Sequence, residues 1–155
     1  MTESGAAIPI NNAYLFWWRW LVLAACGVLL FGLSFVVLPD LTQRFFNLLL
    51  FSSTQRNPAF SDAAVAYITL AYAVLGAVMF GWAIALLYAL FGPFRRGLRE
   101  GWNAVAVSLA AWFIPDTTFS LRSGFWQNAA LNLVFAVLFA IPLVATYKAF
   151  HGRPT

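Results

Sequence analysis

The chain has 155 residues, of which 63% are hydrophobic and 9% charged, with a mean hydropathy of +0.81. A soluble domain runs near ~45–50% and ~25%, and a fold this small cannot hide so much apolar surface from water, so lipid is the expected solvent. Nine Lys and Arg against five Asp and Glu leave a net +4, but the basic residues sit in short connections between apolar runs, which reads as a topology signal; a soluble enzyme, a secreted disulfide scaffold, a disordered tail and a nucleic-acid binder all fit poorly.

The first apolar run covers about residues 16–38 and closes at Pro39-Asp40. Inside it, Leu23-Ala24-Ala25-Cys26 has the look of a bacterial lipobox. The context argues otherwise: the only early cation is Arg19, Glu3 is acidic, and the chain stays apolar from Cys26 to Leu38 where a lipidated protein needs a polar tether. Cys26 is expected to stay unmodified as a small helix residue, with the N-terminus uncleaved. A single cysteine excludes an internal disulfide, a CxxC pair and a cysteine metal cluster.

The connection that follows carries structure of its own. Asp40-Leu41-Thr42-Gln43 reads as an N-cap with a capping-box partner. Leu41, Phe45, Leu48 and Leu49 then fall near one helical face, which predicts a short helix over about 41–51 on the outer membrane surface. Phe46, Leu50 and Phe51 leave open that it packs on the bundle instead. Residues 52–58 form a polar turn, and Ser61 or Asp62 caps the next helix.

The second run covers about residues 63–91 and ends at Gly92-Pro93. Ala73, Ala77, Gly81 and Ala85 recur every four positions, a spacing that lets helix backbones approach closely; packing inside the bundle and self-association are both open. Ala104 and Ser108 repeat the pattern in the third run. Trp82 lies inside its span, whereas Trp17, Trp18, Trp20, Trp102, Trp112 and Trp126 are expected at the two interfaces, where amphipathic rings settle.

The third run is ambiguous. From Trp102 to the residue before Pro115 there is only about 20 Å of helix, against a hydrocarbon core of about 30 Å. Either the helix continues, kinked, to about 121, or it stops short of Pro115. Four spans is the best count with either ending, because three would leave this run unexplained. The fourth run covers about 125–150 and contains Pro142. The expected fold is therefore an all-α membrane protein, one domain over 1–155, built as a four-transmembrane-helix bundle with an interfacial helix between the first two spans.

Four spans put both termini on the side of the 94–100 loop. That side carries Arg19, Arg95, Arg96, Arg99, Lys148 and Arg153; the other carries Arg44, Arg56 and Arg122. The excess predicts cytoplasmic termini. Arg95, Arg96 and Arg99 are read as a retention signal before an anionic-lipid site.

One polar constellation stands against this background. Asp116, Thr117, Thr118 and Ser120 precede Trp126, Asn128 and Asn132, the two asparagines sharing a helix face. With Asp40, Arg44 and Asp62 on the same side, these residues are candidates for a small polar ligand pocket; the alternative is that they pack and cap helices. No metal-ligand cluster, nucleophile elbow or phosphate loop is present, and the lone His151 lies near the C-terminus, so neither cofactor nor metal is expected.

Trp112-Phe113-Ile114-Pro115-Asp116, with Ser120, Gly124, Asn128, Asn132 and Pro142-Leu143, resembles the third and fourth helices of small uncharacterised bacterial four-span membrane proteins. The resemblance covers roughly the last third of the chain. It implies a bacterial inner-membrane protein and no activity. The Trp-x-Pro-Pro signature of tryptophan-rich sensory proteins is missing. The resulting expectation is a non-enzymatic protein that binds lipid or a small ligand, or a subunit of a larger membrane assembly through a protein partner or self-association. A transporter or channel component and an outer-face lipid-headgroup enzyme are the alternatives.

Overall fold

The computed structural model describes residues 12–55 and 59–152, and every regular element among them is helical. In chain order these are α1 (Asn12–Val37), α2 (Pro39–Phe51), α3 (Asp62–Ala89), α4 (Arg99–Arg122) and α5 (Trp126–His151); a π-helical turn, Leu90–Phe94, extends α3. α1, extended α3, α4 and α5 are each long and apolar enough to cross a membrane. The fold is a four-transmembrane-helix bundle, and the protein is a multi-pass membrane protein.

Tyr14 at the start of α1, Phe94 after α3 and Phe150 at the end of α5 form one ring cluster, with centroids 4.8–6.1 Å apart. The two ends of the described chain therefore share one end of the bundle with the 95–98 connection. Arg56 and Arg153, which enter the count of cations on the two sides, lie outside the described residues. At the opposite end sits α2.

Helix α2 differs from its expected cap. It begins at Pro39, with Leu38 as N-cap and no side-chain cap bond. α1 runs to Val37, so a single residue separates the helices, and proline's fixed φ and missing N–H suit the first helical position. Asp40 lies inside the first turn, and Gln43 donates to the Thr69 hydroxyl of α3 instead of closing a capping box. Thr42 and Phe46 are buried and Phe46 stacks on Tyr72 at 4.7 Å, so α2 packs on the bundle. Ser61 caps α3 by accepting from the Ala64 N–H at 3.2 Å.

α4 passes through Pro115 and reaches Arg122, so the longer alternative holds, at about 36 Å for its 24 residues. Proline's lost N–H leaves the Ala111 carbonyl without its usual helical donor. In α5 the corresponding loss is repaired. Pro142 cannot bond the Leu138 carbonyl, and the Trp20 indole donates to that oxygen at 2.9 Å. Trp18 donates to the Leu90 carbonyl in the π-turn (2.9 Å), and Trp102 to the Leu143 carbonyl (3.0 Å). Tryptophans expected only as an interfacial belt thus also satisfy backbone oxygens, which lipid cannot do.

The close helix contact is not at the Ala73/Ala77/Gly81/Ala85 stripe. α1 and α3 approach where a Cβ on Gly32 would stand 2.8 Å from the Gly76 carbonyl oxygen, and one on Gly76 would strike Gly32 and Phe35. At Gly81 nothing lies within 4 Å of such a Cβ, and Ala77, Gly81 and Ala85 are exposed. A four-residue repeat drifts around a 3.6-residue helix, so the row starts half-buried at Ala73 and winds out of the interface.

Candidate ligand site

The site is built on the α4–α5 hairpin. Only Ser123–Phe125 separate the helices, and Gly124 takes φ +80°, a conformation that a Cβ would strain. The Phe125 N–H returns to the Ser120 carbonyl at 2.9 Å. This tight reversal sets the first turns of α5 against the last turns of α4, bringing Asn128 and Asn132 beside Asp116, Thr117 and Ser120.

The resulting network is specific. The Asn128 side-chain amide donates to Asp116 Oδ1 (3.1 Å) and to Ser120 Oγ (2.8 Å). The Ser120 hydroxyl reaches its own helix at the Asp116 carbonyl (2.8 Å) and lies 3.2 Å from Asp116 Oδ1. The Asn132 amide donates to Thr117 Oγ1 at 3.4 Å, with Asn132 only 4% exposed. Thr118 and Trp126 belong to the exposed surface, the latter at 64%, and do not join the network.

Asp116, Asn128 and Asn132 form the polar end of a cavity of about 450 Å³. Its walls come from every helix. α1 supplies Val28, Phe31 and Phe35; α2 supplies Phe46; α3 supplies Leu75, Val78, Met79 and Trp82. α4 adds Ser108, Ala111 and Trp112, and α5 adds Leu131, Phe135 and Phe139. Trp82 and Trp112 face each other with centroids 5.8 Å apart. Trp112 therefore lines the interior at mid-span instead of the outer interface. Leu75, Val78 and Ala111 belong both to the lining and to the exposed surface, so the cavity opens sideways between α3 and α4.

Asp40, Arg44 and Asp62 do not reach it. Asp40 and Arg44 line a separate polar groove of about 690 Å³ on α2, with Gln43, Asn47, Thr54 and Gln55, and Asp62 is absent from the cavity lining. His151 is at the other end of the bundle, stacked on Tyr147 at 4.5 Å. Sequence reasoning identified the polar end but not the walls. Trp82 was the one wall residue with a legible signal, an aromatic of interfacial type in the middle of a span. The phenylalanines of α1 and α5 look like any lipid-facing residue.

Searches of protein-family models, curated proteins and solved structures return no match to the chain.

Proposed function

We propose that this is a non-catalytic membrane protein that holds a small lipophilic molecule in the cavity between α3 and α4. The observation that carries the reading is an apolar space with one polar end, inside a bundle of helices apolar enough to cross a membrane. Its volume lies within the range of about 300–1,000 Å³ usual for ligand pockets, which pair mostly apolar walls with a few placed polar groups. A non-catalytic role is supported by how the polar groups are engaged. The Ser120 hydroxyl is tied back to the Asp116 carbonyl of its own helix, and Asp116 Oδ1 is shared by Ser120 and Asn128, an arrangement that holds the two helices together.

The expected setting is a bacterial inner membrane, with the 95–98 connection and both termini cytoplasmic. Six cations against three support that orientation. In the Cys26→Ser background, single cysteines at Ser53, Arg96 and Ser123 test it: an impermeant thiol reagent on intact cells labels Ser53 and Ser123 only. The reverse pattern inverts the topology.

Filling the cavity tests the function. Native mass spectrometry in a gentle detergent is expected to show a bound molecule on the wild-type protein. Ser108→Phe, which adds a ring at the wall, is expected to remove it at least tenfold while leaving the helical content intact. A wild type that carries nothing, or a variant that carries as much, overturns the reading.

A further inference from the structure

The hydrogen-bonding inventory of the polar end states what its ligand must offer. The amide donors there are mostly engaged within the protein. The Asn128 amide nitrogen donates to Asp116 Oδ1 and to Ser120 Oγ. The Asn132 amide donates one to Thr117, and the Ser108 hydroxyl is directed at the Val105 carbonyl at 3.0 Å. What is left over at Asp116, Asn128 and Asn132 is rich in oxygen: Asp116 Oδ2 and the two amide oxygens, against one remaining N–H of Asn132 and the Thr117 hydroxyl proton, with the indole N–H groups of Trp112 and Trp82 on the walls further in. Nearby on α5, though outside the lining, the Gln127 side-chain oxygen is buried without a partner, a further acceptor lacking a donor.

The space is long. From Asn128 to Phe139, both in the lining, α5 advances about 16 Å. The indole groups of Trp112 and Trp82 belong to the walls, Trp112 a full turn deeper along α4 than Asp116. A head held at Asp116 therefore leaves an apolar body running inward between aromatic walls, with the sideways gap between α3 and α4 as its route in from the bilayer.

We infer that the ligand is an amphiphile whose head donates hydrogen bonds and bears no negative charge, an alkyl ammonium or alcohol in chemical class, with that head at Asp116, Asn128 and Asn132. This rests on the cavity reading above. An ammonium makes charge-assisted bonds to a carboxylate, and a hydroxyl gives a donor to the oxygens left open. A carboxylate or phosphate head meets the Asp116 carboxylate and two amide oxygens with few donors to offset them, and in a lipid-surrounded site an unsatisfied polar group is expensive.

Three probes of equal chain length separate the possibilities: decylamine, decanol and decanoate, titrated into the full chain in zwitterionic nanodiscs, with the melting temperature as readout. Decylamine and decanol are expected to raise it saturably and decanoate is not. Tighter binding of the amine identifies the ammonium as the head, and tighter binding of the alcohol identifies the hydroxyl. Asp116→Asn keeps the shape and is expected to weaken decylamine at least tenfold while changing decanol less than threefold. Should that variant fail to fold, Asn132→Leu is expected to weaken both. Decanoate binding as well as decylamine, or amine affinity unchanged in the variant that folds, overturns the ligand class. The cavity reading then survives if Ser108→Phe still abolishes binding. If no probe shifts the melting point, or Ser108→Phe responds as wild type, the cavity reading falls and this inference with it.

Discussion

Two seams of α3 contrast sharply. Against α1 the helix is closed: Gly32 and Gly76 bring the backbones together, and the Phe35 ring lies beside the contact. Against α4, its neighbour in sequence, α3 touches sparsely. Those two helices converge at one end, where a Cβ on Gly101 would run into the Phe94 backbone, and splay toward the other, with Trp82 and Trp112 facing each other between them. Lipid gives helices no hydrophobic reason to associate, so closeness follows from side-chain size. Glycines close one seam and indoles prop the other apart. The wedge left behind is the cavity.

The largest expected effect lies in the closed seam. Gly76→Ala forces a methyl into the Gly32 carbonyl and Phe35 and is expected to cost on the order of 1–3 kcal/mol, as overpacking does, read as a lower melting temperature in detergent. A neutral result breaks the comparison, because it means that the seam has slack. In the α4–α5 hairpin that borders the open seam, Asn132→Leu removes only the bond to Thr117, and deep polar bonds in membrane helices average about 0.6 kcal/mol, so the melting temperature of the ligand-free protein is expected to change little. A large loss there shows the polar network to be the brace of the α4–α5 hairpin. The smallest effect is expected from Gly81→Leu, where open space surrounds the position. A changed oligomeric state by light scattering makes that exposed face a partner surface, and the comparison then needs a third seam.

The spans, their number and the existence of α2 were legible because they are one-dimensional properties: run length, hydropathy and the position of prolines. The polar cluster was legible for a related reason. Asp116, Ser120, Asn128 and Asn132 are conspicuous in an apolar chain, and a short connection containing Gly124 lies between them, so their pairing is local. The capping box misled because proline competes for the first helical position. The small-residue stripe misled because its four-residue spacing does not track a 3.6-residue helix, whereas the actual contact pairs Gly32 with Gly76, two glycines without any shared motif.

By itself the sequence determined the solvent, the four helices and the residues at the polar end, because hydropathy, helix length and chain-local contacts are written along the chain. Only the tertiary structure decided that α3 leans on α1 and away from α4, that Pro142's orphaned carbonyl is met by Trp20, and that phenylalanines from α1, α2 and α5 share one wall. In lipid an inward and an outward phenylalanine are chemically alike. What separates them is the fit of one helix surface against another, which exists only once the helices are assembled.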